Sequence, residues 1–278
     1  MSATWFSSTP AAAPRRMWLA RAKALLKGRA GTALVVFTVL LSVWEIAVRI
    51  FNVPSFILPA PTRIVHDTAN VGWPLLGHAE ATLITVVGGY FCAVLISFPL
   101  AVTISSSSRL SNVIYPLLVV KQSIPVVALA PILTILFGTG AAARIAITTL
   151  IALFPMVVAT ATGLSSASVE MVELSRSMDA TWRRRLFDIR LPNAVPHIFS
   201  GLKVSMTLAL IGAVVSEFVA AEQGLGFLIY TSTAFFQLPT AFGAMIILGV
   251  IGMLLFQGIS EIERRLFPWA VGLKDSDM

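Results

Sequence analysis

Residues 82–105 read TLITVVGGYFCAVLISFPLAVTIS, a run of 24 residues without a charged side chain. A helix needs about 20 apolar residues, each rising about 1.5 Å, to cross the hydrocarbon core of a bilayer. The run is therefore predicted to be a membrane-spanning helix. Similar runs recur along the chain, and we expect six spans, at residues 32–51, 82–105, 113–137, 142–163, 201–221 and 241–259.

The composition of the whole chain is that of a membrane protein. Its 278 residues are 57% hydrophobic and 12% charged, whereas about 25% of the residues of a soluble domain are charged. We predict an all-α polytopic membrane protein with one transmembrane domain over residues 32–260, a basic tail over residues 1–31 and a second tail over residues 261–278. Cys92 is the single cysteine, so no disulfide can form within the chain.

The third predicted span, residues 113–137, differs from the others in composition. It contains Pro116, Lys121, Gln122, Pro125 and Pro131. Proline removes a backbone donor, which is tolerated at membrane depth where protein or a water-filled cavity covers the freed carbonyls. We expect a broken helix buried in the bundle, with Gln122, Pro125 and Pro131 lining or gating a pathway. The alternative is a surface-parallel segment over residues 113–123 followed by a shorter span.

The basic residues are concentrated in alternate connections between the predicted spans. Six precede residue 32, one is Arg109, five lie between residues 173 and 192, and three follow residue 259, whereas the other connections hold only Arg49, Arg63 and Arg144 near their ends. Positive residues are retained on the cytoplasmic side of a membrane. We therefore expect both termini to be cytoplasmic. The same placement explains the net charge of +7 without a nucleic-acid partner.

The connection between the fourth and fifth predicted spans is long and charged. Apolar residues recur at helical spacing over residues 169–178 and again over residues 182–189. We expect two short amphipathic helices joined at residues 178–180. The second should end at Leu191 and Pro192, because the residue before a proline avoids helical geometry. Such a pair of helices could lie on the lipid surface or dock into a groove of a partner protein.

The residues of this connection have a characteristic spacing. Glu173 is followed by Asp179, then by Ile189, and then by Leu191 and Pro192. This spacing resembles the EAA signature of binding-protein-dependent ABC importer permeases, in which a glycine stands at the position of Asp179. The resemblance extends to FILPAP at residues 56–61, SIPVVALAP at residues 123–131, and Glu217 followed by GLG at residues 224–226. These stretches are similar to the nitrate, sulfonate, taurine and bicarbonate branch, and importers of pyrimidine precursors and of riboflavin share them.

The resemblance implies that the chain is the permease subunit of a bacterial inner-membrane ABC importer. Residues 173–192, the coupling loop, would then fit a groove of a separate ATPase subunit, with Glu173 anchoring the helix pair. The residues expected to form this contact are Glu173, Ser177, Met178, Asp179, Ala180, Thr181, Ile189, Leu191 and Pro192. Asp179 tolerates the left-handed conformation better than most residues, and we expect its side chain to cap the second helix.

The resemblance also implies the partners of the chain. An extracytoplasmic binding protein would deliver the solute, expected to be an anion of the nitrate, sulfonate or taurine type or, alternatively, a thiamine pyrimidine precursor or riboflavin. A second copy would complete a C2 homodimer, and pairing with a homologous permease is the alternative. The sequence has no glycine-rich phosphate loop, so we expect no enzyme activity and no cofactor in this chain, and ATP would be bound by the ATPase subunit. His66, His78 and His197 are too scattered to predict a metal site.

Glu217 is the most conspicuous carboxylate inside a predicted span. Intramembrane carboxylates are costly and commonly functional, so Ser216 and Glu217 are predicted to belong to the pathway or its gate. For Glu217 we favour a structural hydrogen bond near the outer gate over contact with the solute. An ion-coupled secondary transporter that uses Glu217 as its carrier site is the alternative from another class.

Overall fold

The computed structural model describes the backbone of residues 29–269, and the side chains of that range except at residues 29, 30, 108, 115, 118, 119, 121–123, 126 and 220. Within residues 29–269, eleven α-helices follow one another: α1 (Arg29–Ile50), α2 (Pro61–Val71), α3 (Trp73–Ser106), α4 (Ser108–Ser123), α5 (Val126–Phe137), α6 (Ala141–Ser165), α7 (Val169–Ser177), α8 (Trp182–Arg184), α9 (Leu191–Ala220), α10 (Leu225–Ala234) and α11 (Leu238–Leu266). A π-helical turn, Arg185–Arg190, joins α8 to α9. The described residues contain no strand, so the predicted all-α fold is confirmed.

In the part of the chain that the structure describes, five helices are long and apolar enough to cross a membrane. They are Gly31–Ile50, Trp73–Ser106, Ala141–Ser165, Trp182–Val219 and Leu238–Leu266. Each contains one of the predicted spans, except that the first predicted span runs one residue further, to Phe51, and the fifth runs two residues further, to Ala221. The predicted tail from residue 261 begins inside α11, which continues to Leu266. Residues 1–28 and 270–278 of the predicted tails lie outside the described residues.

The third predicted span is split into α4 and α5. Ile124 and Pro125 separate the two helices, because Pro125 has no N–H group and the residue before a proline avoids helical geometry. With 16 and 12 residues, neither helix has the length of about 20 residues that a span requires. The break lies where the alternative of two segments predicted it. The third predicted span was expected to be buried in the bundle. For a single chain this expectation is wrong, because Ile135 and Leu136 of α5 are exposed.

Small residues bring the central helices together. Ala93 of α3, Ala152 of α6 and Ala209 of α9 are fully buried in one cluster. A Cβ atom added to Gly89 of α3 would overlap the side chain of Thr148 on α6. Small side chains at such contacts let helix backbones approach closely, which is the main source of packing energy between helices in lipid. The α3, α6 and α9 helices therefore form the framework that carries the loops at both of its ends.

The described residues divide into two compact units, one ending at Val65 and the other beginning at His66. In the first unit, the Glu45 carboxylate of α1 accepts hydrogen bonds from the backbone N–H of Thr62 at 3.0 Å and from its hydroxyl at 2.8 Å. Arg49 donates to the same carboxylate at 2.6 Å. Glu45 thus satisfies a backbone donor in the first turn of α2. All elements discussed below belong to the second unit.

Candidate functional site

The first helix of the predicted pair is α7, and its two ends are capped. Ser168 precedes it, and its side chain accepts a hydrogen bond from the backbone N–H of Met171 at 3.3 Å. At the other end, the N–H of Asp179 bonds to the carbonyl of Arg176 at 3.1 Å, and the N–H of Ala180 bonds to that of Ser175 at 3.0 Å. This pair of bonds is the Schellman arrangement that closes helices.

Asp179 occupies the position in this turn where glycine is most common. Its φ is +53°, in the left-handed region. The prediction of a left-handed turn at this residue is confirmed. The prediction that Asp179 caps the second helix is wrong, because Thr181 is the N-cap and its hydroxyl accepts from the N–H of Arg184 at 3.4 Å. The left-handed residue closes α7, whereas a cap needs the extended backbone that Thr181 has.

The second helix of the predicted pair does not end at Leu191 and Pro192. Residues 182–219 form one continuous membrane-length helix. Within the π-helical turn the backbone N–H of Leu191 bonds to the carbonyl of Leu186, five residues back. Pro192, which has no N–H, follows at the return to ordinary helical bonding, so the chain needs no donor there. Ile189, Leu191 and Pro192 are half-buried at the base of this helix rather than at the tip of the loop.

The tip of the coupling loop, residues 177–181, is presented outward. Ser177, Met178, Asp179 and Thr181 are exposed, Met178 at 74% of its surface, and Ala180 is half-buried. Leu174, one turn before Met178, is 62% exposed. The structure therefore brings the predicted contact residues of the tip together on one accessible turn. Glu173 is exposed and forms no hydrogen bond or ion pair with the described residues, so its predicted anchoring role has no partner among them.

Arg190 connects the base of the coupling loop to α3. This contact was not predicted from the sequence. Its guanidinium donates to the carbonyl of Ser105 at 2.9 Å. Ser105 lies in the last turn of α3, where carbonyl groups have no partner within the helix. Leu186, 5% exposed, packs with Ala101 of α3 and Leu164 of α6. The only sequence signal for this anchor is the position of Arg190 inside the signature.

A second group of functional candidates surrounds Glu217 near the far end of α9. Glu217 is 1% exposed. Its Oε2 accepts hydrogen bonds from the Thr82 hydroxyl of α3 at 3.0 Å and from the backbone N–H of Gly226 at 2.7 Å. Its Oε1 has no hydrogen-bond partner among the described residues. Ser216, the adjacent candidate, is buried and donates to the carbonyl of Ala213 in its own helix at 2.7 Å.

Two side chains of α3, Thr82 and His78, bind the start of α10. The Thr82 hydroxyl accepts from the backbone N–H of Leu225 at 2.7 Å, and Nδ1 of His78 accepts from that of Gly224 at 3.1 Å. Side chains of α3 and α9 thus satisfy three successive N–H groups at a helix start, where such groups lack partners within the helix. We call Glu217, Thr82, His78 and residues 224–226 the Glu217 cluster.

The glycine at residue 224 is required by this cluster. Its φ is +130°, and a Cβ atom at this position would overlap the Glu217 carboxylate. Arg144 of α6 also holds the preceding residues, since it donates to the carbonyl of Gln223 at 3.3 Å. The geometry supports the structural hydrogen-bonding role for Glu217, in which it joins α3, α9 and α10.

The remaining pathway candidates lie around the break between α4 and α5. Pro125 precedes α5 as its N-cap, and Pro131 lies inside that helix. Both are exposed and neither belongs to the Glu217 cluster. The side chain of Gln122 lies outside the described residues. Their role in a pathway stays a prediction.

The protein family described as "Binding-protein-dependent transport system inner membrane component" matches residues 86–266. The match covers the coupling loop, α9 and most of the Glu217 cluster. The chain belongs to this family. It is a multi-pass membrane protein and an ABC importer permease, as the resemblance predicted. Family membership decides against the ion-coupled secondary transporter.

This permease is similar to two curated relatives and to one solved structure. It is 35% identical to the formylaminopyrimidine transport permease protein ThiX of Halalkalibacterium halodurans, over 84% of this chain and 93% of the relative. It is 25% identical to the taurine transport system permease protein TauC of Escherichia coli, over 83% and 86% respectively. A chain of the inward-facing MetNI methionine ABC transporter shares its fold, with a TM-score of 0.63 at 20% identity over 70% of this chain and 97% of that one. These relatives are transport permeases, in agreement with the expectation that this chain is not an enzyme.

Proposed function

We propose that this permease forms the path of a small solute through the membrane while separate ATPase subunits pull on the coupling loop. The observation that carries the proposal is the outward presentation of residues 177–181 on a capped turn. An exposed apolar residue such as Met178 gains free energy when a partner groove covers it. The docking of the tip would therefore be driven by burial of Met178 and Leu174.

The base of the loop supports force transmission. Arg190 bonds to the end of α3, and Leu186 is packed between α3 and α6. A pull on the tip would therefore reach three helices of the bundle at once. Rigid-body movement of helices about such contacts is a common way in which transporters and switches change state.

The same continuous helix links the loop to the Glu217 cluster. Residues 182–219 comprise 38 residues, which corresponds to a length of about 57 Å at about 1.5 Å per residue. This length exceeds the bilayer core of about 30 Å. By the predicted orientation, one end of this helix meets the ATPase in the cytoplasm and the other holds the start of α10 on the outer side.

The complete importer would contain two copies of this permease, two ATPase subunits and an extracytoplasmic binding protein. A single chain offers one coupling loop, and two-fold symmetry gives each ATPase subunit one loop. The exposed apolar face of α5, which includes Ile135 and Leu136, would be covered by lipid or by the second copy.

For the solute we favour a pyrimidine precursor over an anion of the sulfonate or taurine type. The permease is 35% identical to ThiX and 25% identical to TauC. The charge pattern of α9 agrees, because Lys203, the one lysine of that helix, is paired with Glu263 of α11 at 2.5 Å. A lysine neutralised in this way is a poor binding group for an anion.

Uptake by the reconstituted importer tests the proposal. Proteoliposomes holding the permease and its ATPase, with the binding protein outside, are expected to accumulate labelled formylaminopyrimidine only when ATP is enclosed. Taurine serves as the competing solute. Uptake that survives without ATP but collapses with an uncoupler would contradict the ATP-driven mechanism. ATP-driven uptake of taurine alone would contradict the solute assignment and leave the mechanism intact.

A further inference from the structure

A small pocket lies beneath the coupling loop, between α7 and the π-helical turn. Its volume is about 70 Å³, the space of roughly two water molecules. It is lined by Ser106, Val172, Arg176, Trp182, Arg185, Leu186 and Arg190. A pocket of this size admits a phosphate or carboxylate group but no whole solute molecule.

The charge of this pocket is unbalanced. Arg176, Arg185 and Arg190 all line it, and no acidic side chain of the described residues does. Within the part of the chain that the structure describes, Arg176 and Arg185 form no ion pair, and the recorded bond of Arg190 is to the carbonyl of Ser105. Like charges gathered around one small volume repel each other unless an anion lies between them. An anionic group is therefore the occupant that suits the pocket.

The position of the pocket indicates the source of that group. Ser106 ends the membrane-length helix α3, and Trp182 begins the membrane-length helix that includes α9. The predicted span at residues 82–105 ends next to Ser106, and Arg190 donates to the carbonyl of Ser105. By the predicted topology, the pocket is therefore close to the level of the lipid headgroups. Tryptophan is enriched at this level, and arginine clusters at the cytoplasmic ends of spans attract anionic headgroups.

The geometry of α7 separates this pocket from the docking surface. Val172 and Arg176, one turn apart on α7, line the pocket. Leu174 and Met178, also one turn apart, point to solvent on a different face. A groove that covers Met178 would therefore leave the pocket uncovered. A lipid headgroup is therefore the better occupant than an acidic side chain of the ATPase.

We propose that Arg176, Arg185 and Arg190 bind the phosphate group of an anionic phospholipid beneath the coupling loop. Arginine donates several N–H groups in a fixed geometry that matches phosphate oxygens. The bound phosphate would join α7 to the π-helical turn by neutralising residues of both. The coupling loop would then be held in place by a lipid as well as by Arg190 and Leu186.

Lipid titration of the purified full-length permease tests the proposal, with native mass spectrometry as the readout. Phosphatidylglycerol is the probe and phosphatidylcholine the neutral reference. Arg176→Gln and Arg185→Gln are each expected to weaken the first phosphatidylglycerol-binding event about fivefold, from the contribution of one arginine near an anionic headgroup. Arg183→Gln is the matched control, because it removes the same charge from the same loop outside the pocket. It is expected to change the dissociation constant less than about twofold, since exposed charges are screened.

Three results would overturn the proposal. The first is equal weakening by Arg183→Gln and by the two pocket variants. The second is displacement of phosphatidylglycerol by excess inorganic phosphate, which would make the pocket a site for free anions. The third is unchanged lipid binding with loss of ATPase association in the pocket variants, which would assign the arginines to an acidic partner residue.

A second measurement uses the unaltered permease and so does not depend on whether the variants fold. A photoactivatable phosphatidylglycerol carrying its reactive group near the phosphate is bound, cross-linked and mapped by peptide sequencing. Labelled peptides are expected to come from residues 169–190 and from the end of α3. Labelling that excludes both regions would refute the proposal.

Discussion

Asp179 closes α7 with a left-handed backbone, and substitutions at this position separate the shape of the turn from the chemistry of its side chain. The left-handed conformation costs an ordinary residue about 1–2 kcal/mol, glycine nothing, and asparagine and aspartate intermediate amounts. Two backbone bonds, at 3.1 and 3.0 Å, depend on this conformation. If the turn matters only by its shape, Asp179→Gly and Asp179→Asn should preserve or improve transport.

The opposite substitutions should impair transport. Asp179→Ala is expected to lose about 1 kcal/mol of turn stability, and Asp179→Val more, because a β-branched side chain is poorly tolerated at positive φ. A loss of 1 kcal/mol reduces the population of the closed turn about fivefold relative to the open one. Because the exposed tip depends on the turn, ATP-driven uptake should fall in the order glycine, asparagine, aspartate, alanine, valine.

The assay is ATP-driven uptake by proteoliposomes, measured beside ATP hydrolysis and hydrogen exchange of the backbone N–H groups of residues 178–180. Faster exchange should accompany lower uptake across the series. Loss of uptake in both Asp179→Gly and Asp179→Asn, with exchange as slow as in the unaltered permease, would refute the reasoning. It would show that the Asp179 carboxylate itself makes a contact that coupling requires.

The remaining predictions concern the two ends of α9. Gly224→Ala should destabilise the permease by more than about 2 kcal/mol, because the added Cβ atom would overlap the buried Glu217 carboxylate and the backbone there has a positive φ. Thermal unfolding in detergent measures this loss. Gly249→Ala is the control and should not destabilise the permease, because open space surrounds Gly249. Thr82→Val should lower stability by about 1–3 kcal/mol through an unpaired buried N–H, whereas Thr103→Val, at an exposed hydroxyl, should have a smaller effect in the same measurement. Arg190→Gln should reduce uptake per ATP hydrolysed, since the loop loses its bond to α3, and an unchanged ratio would contradict the anchoring role.

The local features of the fold could be predicted from the sequence because their causes are local. The uncharged run at residues 82–105 is sufficient to make α3 a membrane helix. Pro125 is sufficient to break the third predicted span. The signature has a glycine at the position of Asp179, and this predicted the left-handed turn there. The backbone at this position needs a positive φ whether the residue is glycine or aspartate.

The wrong predictions concern residues whose local conformational preference is overridden by packing between distant parts of the chain. The residue before Pro192 was expected to leave the helix, but the π-helical turn shifts the hydrogen bonding so that the proline interrupts nothing. The hydrogen-bond partners of Glu217 could not be predicted from the sequence either. Thr82 is 135 residues away in the chain and bonds to it only because α3, α9 and α10 pack together. A buried carboxylate indicates that partners exist, but its sequence neighbours do not identify them.

The long helix from Trp182 to Val219 is not uniform in stiffness, and this bears on how movement of the loop would reach the Glu217 cluster. Its π-helical turn and Pro196, the two places where helices most readily bend, both lie near the loop end. Beyond them, Ala209 and Ala213 are fully buried in the framework of α3 and α6. A pull on residues 177–181 should therefore change the angle at the loop end, while the packed part tilts as one body with α3. Because Thr82 lies on α3 and Glu217 on α9, the Glu217 cluster would keep its hydrogen bonds during such a tilt and carry α10 with it.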